Sequence, residues 1–406
     1  MKYSDVYKDY DKITNLFLEL LRFNTSSNPK CFRLPSSKGQ IELFKFLIDK
    51  LLNMGVEPPK IDLNKNGYII VTIPQTDDNL PSIGFLTHLD TYPVDINDQV
   101  KPIIIENYRG KNINLGKNIF FSEAEFPELL NYRGQTIIVS EGENILGADD
   151  KAGICEILIA LEFILRNKEV KHGEIKIVFT TDEEIGRSML LFDFDEFKCD
   201  FAYSIDGGEV GEISYENANF QLIKYSIDAT DKMKLKKIKL IINDIIKHLD
   251  ENCLFSLGFN NDSVYIYNYV VSDSKIFLDI CVRFYDNKIF DYNLKKAKEI
   301  VSNCLEQYNL NYYVKDKLVY RNIFNFITNN PQVLNRTLEV FKNLNVIPKI
   351  VKMKGGADCV RISNNGIPCI NIFTGVHNEH TPYEFISLES MEKAIDVIIE
   401  LMTYKG

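Results

Sequence analysis

Apolar positions in the first third of the chain alternate between a helical repeat and short unbroken runs. Ile41, Phe44, Leu47, Ile48, Leu51 and Leu52 recur at helical spacing with Gly55 behind them, which predicts a helix over 38–54 stopped by a glycine. Unbroken runs at Tyr68–Ile73, Ile83–Thr87, Ile175–Thr180 and Phe201–Ile205 predict buried strands. Between them Ile154, Ile157, Leu158, Leu161, Ile164 and Leu165 form a second helical stripe, entered through the acidic pair Asp149-Asp150. Strands alternating with helices in this way predict an α/β fold.

The texture changes between about Ser214 and Val314, where Lys, Asn, Tyr and Ile become frequent. A helical pattern over Leu235–Leu249, a strand over Ser263–Val270 and a helix near Leu294–Gln307 predict a smaller α+β domain inserted into the first. Beyond it come the pair Gly355-Gly356, a strand over Cys369–Phe373 and a closing helix over Leu388–Met402 capped by Ser387. The expected organisation is a discontinuous larger domain, 1–213 and 315–406, carrying an insert over 214–314. No internal repeat or low-complexity linker interrupts it.

Composition narrows the function. With 406 residues, 45% of them hydrophobic, the chain is long enough for two cores, so a disordered protein is excluded. A net charge of -10, with basic residues dense only from Lys232 to Lys239, argues against nucleic acid as a partner. No apolar run approaches the roughly 20 residues that span a bilayer, and the start is polar, so a cytoplasmic protein without a membrane partner is expected. The eight cysteines include no CxxC pair and fit reduced thiols in a core better than metal ligands.

Polar chemistry gathers where the predicted strands end. His88 and Asp90 follow the strand at Ile83, two residues apart and therefore on one side of an extended chain. Gly147-Ala148-Asp149-Asp150-Lys151-Ala152-Gly153 opens the second helix. Thr181-Asp182-Glu183-Glu184 and Asp206-Gly207-Gly208 follow two further strands, and His377-Asn378-Glu379-His380 precedes the last helix. Each alone reads equally as a helix cap, a turn or a solvated acidic loop. Together they stand at the strand ends where open α/β sheets bind ligands. Histidines and carboxylates without cysteine suit zinc, manganese or cobalt, and a spare carboxylate suits two ions in one site. The residues themselves carry the reading to a carboxylate-rich metallohydrolase.

Several segments resemble peptidase T in order and spacing. They are Leu34-Pro35-Ser36-Ser37-Lys38-Gly39-Gln40, Thr87-His88-Leu89-Asp90-Thr91, Glu106-Asn107-Tyr108-Arg109-Gly110, Gly147–Gly153, Thr181–Gly186, Asp206-Gly207-Gly208, and Phe373-Thr374-Gly375 with His380. The resemblance covers most of 10–212 and 314–406. It implies a zinc-peptidase-like catalytic domain, a mixed sheet flanked by helices, with an inserted α+β lid. It further implies two zinc ions per subunit, cobalt or manganese being substitutes, and an aminopeptidase that removes the N-terminal residue of tripeptides.

Residue by residue, Asp149 matches the carboxylate that bridges the two ions. His88 and Asp206 match ligands of one, and Glu184 and His380 ligands of the other. Asp90 matches the partner of His88, and Glu183 the general base that activates the attacking water. His377 matches no ligand and is expected in a loop near the site. Arg283 matches an arginine that pairs with a substrate carboxylate. The family's Arg-Gly-Gly-Thr-Asp-Gly segment stands here as Lys354-Gly355-Gly356-Ala357-Asp358-Cys359, so Lys354 keeps the charge without the planar fork.

One departure is larger. The family's lid carries a Val-His-Pro-Gly segment whose histidine reaches the scissile carbonyl, whereas the one histidine here between Asp206 and Arg283 is His248, inside a predicted helix. The chain is shortened around Ala229–Lys234, where that loop belongs. Loss of one oxyanion donor typically costs on the order of 100- to 1,000-fold in turnover. Two readings follow: a tripeptide aminopeptidase, favoured by the intact Glu183, or a weak or inactive relative that holds metal and binds peptide. An amidohydrolase acting on acylated amino acids is a third. Association of two chains through the lid is expected from the family.

Overall fold

The computed structural model describes residues 10–58, 61–64, 67–94, 99–117, 119–228, 235–254, 262–272, 274–353 and 355–405. The chain forms two compact units, one of Met1–Tyr215, Phe326–Val351 and Ala357–Gly406, the other of Glu216–Asn325 and Lys352–Gly356. The return to the larger unit thus comes after Asn325, not after Val314 as the sequence pattern suggested. The cause is a strand at Tyr312–Tyr320 that pairs antiparallel with Asn219–Asp228 inside the smaller unit.

In the larger unit an eight-stranded mixed sheet runs in the order Ile61–Asn64, Tyr68–Ile73, Ile175–Thr180, Ile83–His88, Phe201–Gly207, Cys369–Phe373, Glu212–Ser214, Lys349–Ile350. Its four central strands, from Ile175–Thr180 to Cys369–Phe373, are mutually parallel. Their carboxyl ends therefore share one edge, which brings His88, Thr180, Gly207 and Phe373 to neighbouring places. These strands are apolar almost throughout because both faces are covered. The helix Ala148–Arg166 packs on Ile83–His88 and Phe201–Gly207, flanked by the helices Tyr10–Leu21 and Leu388–Thr403. Fifteen of its nineteen residues are buried, which explains why it is apolar on more than one face.

The predicted helix over 38–54 spans Lys38–Asn53, with Gly55 in the left-handed region at φ 89°. Ser387 caps the last helix as expected, its Oγ accepting from the Ser390 amide at 3.0 Å. A smaller sheet, Val376–His377, Phe385–Ser387, Ile137–Val139 and Ile103–Ile105, is built over a core that includes Tyr108, Phe121, Tyr132 and Phe385. Among the described residues no helix is long and apolar enough to cross a membrane. Phe85 is fully buried on a central strand with its ring 5.6 Å from that of Tyr203. Phe85→Ala is expected to cost about 3–5 kcal/mol, read as an earlier midpoint in chemical denaturation.

The smaller unit is α+β. Its antiparallel sheet runs Ser263–Val271, Lys275–Phe284, Asn219–Asp228, Tyr312–Tyr320. The helices Leu235–Asn252 and Asn287–Gln307 cover one face through Ile241, Ile245, Phe290 and Val301, packed on Ile223, Leu278 and Ile280. The second helix starts earlier than its apolar stripe, because the Asp286 carboxylate accepts from the Lys288 and Ile289 amides. His248 lies inside its helix as predicted, with its ring on the Asp244 carbonyl at 2.7 Å. The shortened region 229–234 lies outside the described residues.

Candidate metal centre

The carboxylate of Asp149 faces two histidines at once. Its Oδ1 lies 3.0 Å from His88 Nε2, and its Oδ2 lies 3.0 Å from His380 Nε2. Asp206 Oδ1 stands 3.4 Å from the same nitrogen of His88, and Glu184 Oε1 stands 2.8 Å from that of His380. Five of the residues singled out in the sequence are thus brought together from three elements and two loops. His88 ends a strand, Asp206 lies near the end of the next, and Asp149 opens a helix with non-helical φ and ψ. Ligand atoms of His88, Asp149 and Glu184, and of His88, Asp150 and Asp206, lie close enough within each trio to share one ion.

Asp90 is fully buried and stands beside His88 while also making a second set of contacts. His88 Nδ1 is 3.0 Å from the Asp90 carbonyl oxygen and 3.5 Å from its carboxylate. The carboxylate accepts from the backbone amides of Glu183 at 2.9 Å and Glu184 at 3.1 Å. One residue therefore orients the imidazole and pins the loop bearing Glu183 and Glu184.

That loop has a second anchor. Asp182, at φ 58°, accepts from the Ser36 amide at 2.8 Å, from the Ser36 hydroxyl, and from Gln40 Nε2 at 2.8 Å. This gives the Leu34–Gln40 motif its physical role.

Electrostatics favour a cation between these oxygens. Among the described residues, the ion partners of Asp149, Glu184 and Asp206 are the two imidazoles, not Lys or Arg. Burial pushes Glu184 up to about 7 and Asp206 up to about 6, and burial together with Asp358, Asp206 and Glu184 holds Glu183 well above the usual carboxylate range. Burial opposes charge on His380, yet its hydrogen bonds to Asp149 and Glu184 push it to about 11. Several carboxylates gathered around two imidazoles, with no Lys or Arg among their ion partners in the described residues, are a donor set suited to a divalent ion, so the residues present fit the metal expected.

His377 is not in a loop but in a two-residue strand, its Nε2 2.5 Å from the Tyr132 hydroxyl, and burial lowers it to about 4. Arg283 is buried on the strand Lys275–Phe284 of the smaller unit. Lys354 lies outside the described residues. Two buried acids went unnoticed in the sequence. Asp358 accepts from Thr180 Oγ1 at 2.8 Å and from the Ser188 hydroxyl, and Glu384 accepts from the amides of Gly147 and Asp149. Asp358 was visible in the Gly-Gly-Ala-Asp segment, and Glu384 lies just past His380.

A parallel-stranded α/β core whose strand ends converge on two histidines and several buried carboxylates defines a metallohydrolase-type centre. Residues 141–404 match the model of peptidase family M20/M25/M40. The peptidase T of Caldanaerobacter subterraneus subsp. tengcongensis is 36% identical over 97% of this chain and 99% of its own. The chain therefore belongs to peptidase family M20/M25/M40, among its peptidase T members. Aminopeptidase PepT from Bacillus cereus ATCC 10987 shares the fold, with TM-score 0.73 and 21% identity over 97% of this chain and 98% of that one. So does the Bacillus subtilis YXEP protein, described as a dinuclear metal binding peptidase, with TM-score 0.62 and 15% identity over 97% of each chain. A binding relative without turnover finds no support in these matches, whose names are those of peptidases.

Proposed function

We propose that this chain is a zinc-dependent aminopeptidase that releases the N-terminal residue of tripeptides. The observation that carries the reading is the Asp149 carboxylate, one oxygen toward each of two histidines at 3.0 Å. Asp149 is read as the shared ligand, with His88 and Asp206 completing one position and Glu184 and His380 the other. Two zinc ions held there supply positive charge that polarises the peptide carbonyl and brings the pKa of water down toward roughly 7.

Within this reading Glu183 takes the proton of the attacking water and passes it to the leaving amine nitrogen. Asp90 keeps that base in place through the Glu183 amide. Arg283 and Lys354 remain the residues carried over for a substrate carboxylate, and the smaller unit the surface carried over for association of two chains.

The test is N-terminal residue release from a panel of tripeptides. Chelator-treated protein is expected to lose at least about 1,000-fold in rate, since metal stabilisation is worth several kcal/mol and each 1.36 is tenfold. Added zinc should restore it. Equal rates with and without chelation, in protein confirmed metal-free, would remove the metal from the reaction.

A further inference from the structure

Glu384 is fully buried, and its carboxylate spans the turn that presents Asp149. Its Oε2 accepts from the Gly147 amide at 2.7 Å and its Oε1 from the Asp149 amide at 2.9 Å. Gly147 stands at the N-cap of the helix Ala148–Arg166 in the left-handed region, φ 76°, and has no side chain with which to cap the amides that follow. Glu384 supplies that acceptor from another part of the chain, and its charge suits a helix N-terminus.

The same short segment carries His380, four residues earlier. Its path is fixed by internal ties: the Glu384 amide to the Thr381 carbonyl at 3.2 Å, Thr381 Oγ1 to the Asn378 carbonyl at 2.7 Å, and the Tyr383 amide to Thr381 Oγ1 at 3.2 Å. The segment therefore grips the Asp149 turn twice, through His380 on the carboxylate and through Glu384 on the backbone beneath it.

The two halves of the site are not equally secured. His88 sits at the end of a central strand, its amide held by Asp150 Oδ2 at 3.1 Å and its Nδ1 by the Asp90 carbonyl at 3.0 Å. His380 lies on a loop at φ 64°, with 38% of its side chain exposed. Beyond Asp149 and Glu184 its ring stacks on Tyr92, with centroids 4.4 Å apart, and Glu384 ties the segment behind it to the start of the helix.

We propose that Glu384 is a positioning residue that locks the Asp149 turn to the His380 segment and so sets the affinity of the Glu184–His380 position for its ion. The inference rests on the metallopeptidase reading above. It assigns Glu384 no contact with ion or substrate. Its effect passes through the direction of the Asp149 carboxylate and the reach of His380.

The experiment titrates metal-free wild type, Glu384→Gln and Glu384→Asp with zinc against a chromophoric chelator, and follows metal-free melting and the kcat and KM of tripeptide hydrolysis. Gln keeps the volume but turns one acceptor into an NH2 group facing an amide, and Asp keeps both oxygens on a shorter stem. Expected for Glu384→Gln is a roughly 10–100-fold weaker affinity for one ion, the other staying within about threefold, with kcat falling and KM holding. Glu384→Asp is expected to recover part of the loss, and it decides the matter if the Gln variant does not fold. Two wild-type affinities in a folded variant would overturn the proposal, as would both ions weakening together with the metal-free melting temperature. A wild type that takes up no pair of ions would instead bring down the site reading on which the proposal stands.

Discussion

Glu183→Ala is expected to lower tripeptide turnover by roughly 100- to 10,000-fold, the contribution of a well-placed general base, while the zinc content stays at its wild-type value. The two outcomes separate because the residue does two different things with different atoms. Its backbone amide ties the loop to Asp90 at 2.9 Å, and the neighbouring Glu184 amide does the same at 3.1 Å. Truncating the side chain leaves both ties, and the anchor of Asp182 on Ser36 and Gln40, untouched. What disappears is the carboxylate assigned to take the proton of the attacking water, while the backbone that positions it stays in place. Glu183→Gln is the sharper version, since it keeps the volume and removes only the basicity. Rates from a tripeptide assay, set beside elemental analysis of the same samples, check both halves. Wild-type turnover in either variant would take Glu183 out of the proton transfer, and loss of zinc in step with rate would make it a structural residue instead.

The parallel strands and the residues at their ends were legible because two signals coincide there. Apolar runs such as Ile83–Thr87 are buried on both sides and need no polar alternation, and the chemistry begins at the residue where each run stops. His88, Asp206 and the Thr181–Glu184 loop were found in this way. The turn at Asp149 was legible through its glycines and its paired acids at a helix start.

What escaped the sequence depends on contacts between distant segments. Glu384 reaches Gly147 across more than 200 residues of chain, and Asp182 reaches Ser36 and Gln40 in the same fashion. Neither leaves a local pattern. The end of the insert was misplaced for another reason. Tyr312–Tyr320 is an edge strand, exposed along most of its length and carrying Lys315 and Lys317, so it lacks the apolar alternation by which a strand is read. Its partner Asn219–Asp228 supplies the buried side of the pair.

Asp149→Asn should remove both ions and with them at least about 1,000-fold of the turnover, given that metal stabilisation supplies several kcal/mol and each 1.36 is tenfold. The expectation comes from sharing. Asp149 is the one carboxylate in the cluster that stands 3.0 Å from each histidine, and an amide would leave a single oxygen for two positions. Asp206 is private by comparison: it lies 3.4 Å from His88 and has no ion pair with His380 among the described residues. Asp206→Asn is therefore expected to weaken one ion and retain the other, although the substitution is chemically the same. The folded scaffold should survive both changes, because the Asp149 turn is held through the Gly147 and Asp149 amides on Glu384, not through the Asp149 side chain. Zinc stoichiometry of the two variants, measured with the tripeptide rate and a melting curve, distinguishes a shared ligand from a private one. Parallel loss of a single ion in both would mean that Asp149 serves one position only, and the two-ion arrangement would have to be rebuilt around Asp150, whose carboxylate lies within reach of His88 and Asp206.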